Sequence, residues 1–214
     1  MVYLREMIVV DVETTGLYPD KNSIVSIGAV DFFNPKNKFY EECMMWNGAE
    51  IDPVALEING FTREQITDPN RLSLEELMKN FIFWRSNIKD RTFSGQNAWF
   101  DIDFLINSAE RCNLHPYTSK GYSLERGFGK RYVDLHSQTY THILSRGLEP
   151  PLRNGRTNIN SDVALIYTGL PKEPRPHNAL KGAKMIAEAF SRLIYGKNLL
   201  KEFSQYAIPD YLKQ

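Results

Sequence analysis

The chain reads as an α/β fold, a mixed five-stranded sheet flanked by helices on both faces. Three observations predict it. Three strand-like segments follow one another near the start, strand and helix patterns then alternate, and the segment after Asn178 carries clear helical periodicity.

The first strand is the apolar run from Met7 to Val12. "IVSIGAVDFF" (24–33) and "KFYEECMMW" (38–46) supply the second and third, joined by the turn signal "NPKN". "DPVALEIN" (52–59) predicts a short helix with Pro53 at its first position, where the missing N–H costs nothing. In "RLSLEELMKNFIFWRSNI", Ser73 and Glu76 form a capping box, and Leu72 can staple to Leu77. "RTFSG" (91–95) is a fourth strand, "DIDFLINSAERCN" (101–113) a helix and "RYVDL" (131–135) a fifth strand. "HSQTYTHILSRG" is a helix ended by Gly147, and "NINSDVALIYTGL" and the residues after Asn178 give two more. Residues 1–195 form the expected domain, and 196–214 a tail that packs on the body or meets a partner.

A length of 214 residues suits one large domain, and 42% hydrophobic residues with no membrane-length apolar run predict a globular protein without a membrane span. The opening "MVYLREMIVVDV" lacks a basic n-region and a cleavage site, which predicts a cytoplasmic location. Cys43 and Cys112 lack metal-ligand spacing and read as reduced thiols. Basic and acidic residues balance at 26 each, so no global field draws the chain to a polyanion. Locally, Lys120, Arg126, Lys130 and Arg131 alternate with Tyr117, Tyr122, Phe128 and Tyr132. Such a segment suits a phosphate backbone with stackable bases, although a basic, aromatic loop is more often simply a solvated surface.

Three clusters carry chemistry. In "VVDVETTGL", Asp11 and Glu13 stand two apart at the end of a strand, so both carboxylates face one side of the sheet. Like charges held together call for a divalent cation, and hard oxygen ligands suit magnesium or manganese. In "SGQNAWFDIDFL", Asp101 begins a helix and reads as either a cap or a functional carboxylate, with Asp103 as its competitor. In "HNALKGA", His177 precedes a helix and suits either a surface position or general-base work.

Taken in this order, the clusters resemble the motifs of the DEDDh family of 3′→5′ exonucleases, which includes the proofreading subunit of bacterial replicative polymerase, oligoribonuclease and RNase T. "DVETTGL", "NAWFDIDFL" and "HNALKGA" are similar to its three motifs, and "INGFTREQI" to an intervening segment. The resemblance runs from about Met7 to Ile194 and selects Asp101 over Asp103, because the family's aspartate directly follows the phenylalanine. It implies an RNase H-like fold and two divalent ions bound by carboxylates that include Asp11, Glu13 and Asp101. It also implies that His177 takes the proton of the attacking water, that Thr14 and Leu17 meet the terminal nucleotide, and that Asn97 supports the second motif.

The third motif departs from the family at Gly182, where the family carries its last metal-binding aspartate. Glycine one turn inside a helix should cost about 1 kcal/mol relative to alanine, and nothing in the local sequence explains it. With three carboxylates instead of four, the site is expected to bind magnesium or manganese weakly, as one ion rather than two, with impaired activity that Gly182→Asp would restore. The expected substrate is the 3′ end of single-stranded DNA or RNA, with a polymerase or a second copy as partner. A catalytically inactive nucleic-acid-binding or polymerase-associated module is the alternative.

Overall fold

In the computed structural model, which describes residues 7–114, 128 and 131–213, the apolar opening run forms strand β1 (Ile8–Thr14) at the centre of a five-stranded sheet. β2 (Ile24–Asp31) pairs antiparallel with β1, and β3 (Lys38–Glu42) antiparallel with β2. On the other side β4 (Phe93–Gly95) and β5 (Tyr132–Asp134) add in parallel, giving the order β3-β2-β1-β4-β5. The mixed sheet is as expected. β3 ends sooner than the sequence suggested, because the Met44 and Met45 amides donate to the Leu72 and Ile66 carbonyls instead.

Between β3 and β4 lie α1 (Pro53–Asn59), α2 (Arg63–Thr67) and α3 (Leu74–Ser86). Pro53 stands in the first turn of α1, and the Ser73–Glu76 capping box opens α3. α2 escaped the sequence reading, although Thr62 and Gln65 form a second capping box in front of it. α4 (Ala98–Arg111) starts three residues earlier than expected. Its first turn is capped from a distant strand, the Ala98 amide donating to Asp134 Oδ2 at 2.7 Å, so no local cap marked the start. α5 (Leu135–Ser145), a small ribbon of β6 (Leu152–Arg153) and β7 (Arg156–Thr157), α6 (Ser161–Tyr167) and α7 (Ala179–Tyr195) follow.

Alternation along β1 explains the layering. Ile8, Val10 and Val12 face a core shared with α3 and α4, while Met7 and Val9 face a second core shared with α5, α6 and α7. The residues after Gly196 belong to that second core through Leu200, Phe203 and Leu212. Their main chain is tied to a fully buried pair on α7. Arg192 bonds Glu188 and the carbonyls of Phe203 and Tyr206, and Glu188 Oε2 accepts from the Leu199 and Leu200 amides, both at 2.8 Å. The tail therefore packs on the body. No helix of the described residues is long and apolar enough to cross a membrane. Lys120, Arg126 and Lys130, with Tyr117 and Tyr122, lie outside the described residues.

Candidate active site

The site begins with two glycines that let a helix approach the sheet. Asp11 on β1 stands opposite Gly28 on β2. A Cβ on Gly28 would overlap the Ala179 carbonyl and the Leu180 amide, so only glycine lets the first turn of α7 settle there. One turn further along, Gly182 lands on Asp11. A Cβ at 182 would overlap Asp11 Oδ2 and stand 2.9 Å from Asp11 Cγ and 3.2 Å from Glu173 Oε1. The space beside this glycine is thus occupied by side-chain carboxylates of Asp11 and Glu173.

Asp101 reaches the same place from the other layer. Its Oδ1 accepts from the Val12 amide at 3.0 Å, which ties the first turn of α4 to β1. The helix-cap reading of Asp101 is corrected: the residue lies inside α4, and its bond is to the strand. Asp103 instead accepts from its own helix neighbour, Asn107 Nδ2, at 3.1 Å. His177 is held by its main chain, the amide donating to the Ile58 carbonyl at 2.9 Å, and its Nδ1 lies 3.8 Å from Glu173 Oε2. Asn178 then starts α7, its Oδ1 accepting from the Lys181 amide at 3.1 Å while its Nδ2 donates to Tyr40 Oη at 2.8 Å.

The turn after β1 is fixed at both ends. Asn59 Nδ2 donates to the Thr14 carbonyl at 3.0 Å, and Asn22 donates to the Glu50 carbonyl and accepts from the Tyr18 amide. Thr14 is buried and donates to the Gly16 carbonyl, while Leu17 is left 64% exposed at the rim. Asn97 is exposed and left-handed (φ 55), with no side-chain cap bond of its own. It lines a cavity of about 500 Å³ with Trp99, Tyr132 and His136. The Trp99 and Tyr132 rings lie 6.4 Å apart, both exposed. Sequence reasoning counted Tyr132 within a basic segment and passed over Trp99.

Electrostatics show how tightly the acids are gathered. Burial, then repulsion from Asp101, Glu13 and Glu173, raises Asp11 well above the usual carboxylate range. Burial, then Glu173 and Asp101, pushes Glu13 up to about 8. Burial raises Asp101 to about 8 against the lowering effect of the Val12 amide, and raises Glu173 to about 7. Burial, and then Arg175, lowers His177, so its ring is neutral at pH 7 and can accept a proton. Oxygen-rich, mutually repelling side chains of this kind fit a divalent cation.

These shifts predict how the metal-free fold responds to pH. Each acid ionises at a higher pH in the folded protein than in the unfolded chain, so its contribution is complete below about pH 4 and lost as pH rises through about 7 to 8. The melting temperature in chelator should fall between about pH 5 and about pH 9, and manganese should remove most of the fall. A decline that manganese leaves unchanged would assign it to groups elsewhere.

No protein-family model matches the chain. It is 30% identical over 192 residues to the 3′-5′ DNA exonuclease Cap18 of Escherichia coli, covering 86% of this chain and 89% of that protein. The chain belongs to the DEDDh family of 3′→5′ exonucleases. The nuclease domain of 3′hExo, a DEDDh member solved with rAMP, superposes with a TM-score of 0.66 at 16% identity, over 93% of this chain and 96% of that one. Escherichia coli exonuclease I, solved with a dT13 oligonucleotide, gives 0.67 at 16% identity over 87% of this chain, which spans 41% of its length. These likenesses establish the exonuclease fold, RNase H-like as expected. DEDDh exonucleases use divalent metal ions. In this chain Asp11, Glu13, Asp101 and Glu173 lie close enough to repel one another, and ligand atoms of Glu13, Glu173 and His177 lie within 4.8 Å of one another.

Proposed function

We propose that this protein releases nucleoside monophosphates from the 3′ end of single-stranded nucleic acid, using magnesium or manganese held by Asp11, Glu13 and Asp101. The observation that carries this reading is the meeting of these acids, from two layers of the fold, beside a neutral histidine. Bound divalent ions would supply charge stabilisation on the scissile phosphate and acidify the attacking water. His177 takes the water's proton, its backbone anchored by the main-chain bond to Ile58. Thr14 and Leu17 seat the terminal nucleotide, Leu17 by packing beside its base from the fixed turn. Asn97, Trp99 and Tyr132 extend the surface, and the two exposed rings offer stacking faces for the bases behind the 3′ end.

Cap18 is named a DNA exonuclease, and exonuclease I was solved with a DNA strand, so DNA is the first substrate to try. The test is a labelled single strand, of DNA and of RNA, with a free or a blocked 3′ terminus, incubated with manganese or with chelator. Stepwise shortening of the free DNA strand alone, lost in chelator, is the expected result. Tight binding of the strand without any shortening would replace the exonuclease reading with that of a nucleic-acid-binding module.

A further inference from the structure

We propose that Glu173 is the fourth carboxylate of the metal site, standing in for the side chain that Gly182 lacks. Glu173 lies on the segment between α6 and α7, three residues beyond Leu170 and four before His177. Its side chain is only 9% exposed, and its Oε1 is buried with no hydrogen-bond partner among the described residues. A buried carboxylate oxygen without a donor is costly, and a cation would remove the cost.

That oxygen lies 3.2 Å from where a Cβ on Gly182 would be, so the carboxylate borders the space that an aspartate at 182 would fill. Carboxylate oxygens of Glu13 and Glu173 and a ring nitrogen of His177 all lie within 4.8 Å of one another. Glu188, the other acid near Gly182 in sequence, is fully engaged by Arg192 and the Leu199 and Leu200 amides. The carboxylate has moved from the helix to the segment in front of it. With Glu173 counted, Asp11, Glu13 and Asp101 make four acids again, and the expectation of a weak, impaired site loses its basis.

This inference rests on the metal-dependent reading above, and the test separates the two. Manganese binding is measured by calorimetry on the unchanged protein, on Glu173→Gln, on the shorter acid Glu173→Asp and on the control Asp103→Asn, with folding checked by circular dichroism in chelator. Glu173→Gln should weaken manganese binding by about 10-fold or more, Glu173→Asp should weaken it less, and Asp103→Asn should leave it unchanged. Equal affinity in the unchanged protein and both Glu173 variants overturns the role of Glu173 alone. Absence of manganese binding by the unchanged protein overturns the metal-dependent reading and this inference with it.

Discussion

His177→Ala is expected to slow nucleotide release about 10²- to 10⁴-fold, the range over which a positioned general base contributes, while leaving manganese affinity within error of the unchanged protein. The ring is partly exposed and neutral at pH 7 through burial and Arg175, and the residue's main chain is anchored by the bond between its own amide and the Ile58 carbonyl. Truncation to alanine removes the proton acceptor and keeps that main-chain anchor, so the loss should fall on the chemical step rather than on substrate affinity. Single-turnover release and manganese calorimetry, run on the same preparation, check it. A fall in manganese affinity that matches the fall in rate would make His177 a ligand, consistent with its place near Glu13 and Glu173 but not with the general-base role.

Gly182→Asp is expected to lower activity, by about 10²-fold if reacting groups move by about an ångström. Sequence reasoning pointed the other way, because the substitution writes the family's residue back into the motif. Around Gly182 the space is already taken: a Cβ would overlap Asp11 Oδ2 and crowd Glu173 Oε1. A fifth carboxylate would also add repulsion to acids that already resist ionising together. Glu173→Ala combined with Gly182→Asp relieves the contact with Glu173 Oε1 and returns the count to four, while the overlap with Asp11 Oδ2 remains, so the double variant should exceed Gly182→Asp in metal-dependent release. Rates of strand shortening for the three variants decide the point. A gain from Gly182→Asp alone would mean that Glu173 does not complete the site.

Much of the fold was legible because local signals and long-range packing agreed. The apolar run of β1, Pro53 in the first turn of α1 and the Ser73–Glu76 capping box each named an element that the structure holds. Where the deciding contact came from afar, sequence reasoning missed. α4 is capped by Asp134 from another strand, so its start was placed at Asp101 instead of Ala98.

Of the candidate site only the Asp11–Glu13 pair was legible from spacing, while Asp101 and His177 were singled out by the family resemblance. Asp11 and Glu13 lie two apart on a strand, and the two-residue period of a strand is enough to put them on a shared face. Glu173 was not legible, because it lies in an irregular segment where no period tells which way a side chain points. Nor was the closeness of Gly182 to Asp11, since that contact depends on Gly28 admitting the helix to the sheet.

Locating manganese by anomalous scattering in crystals of the unchanged protein, grown with manganese and a nucleoside monophosphate, tests the central claim most directly. The expected result is manganese bound by the carboxylates of Asp11 and Glu13, with Glu173 among its ligands and the nucleotide's phosphate against it. Manganese bound elsewhere, with the Asp11 and Glu13 carboxylates free of metal while the same protein shortens strands in solution, would contradict the account.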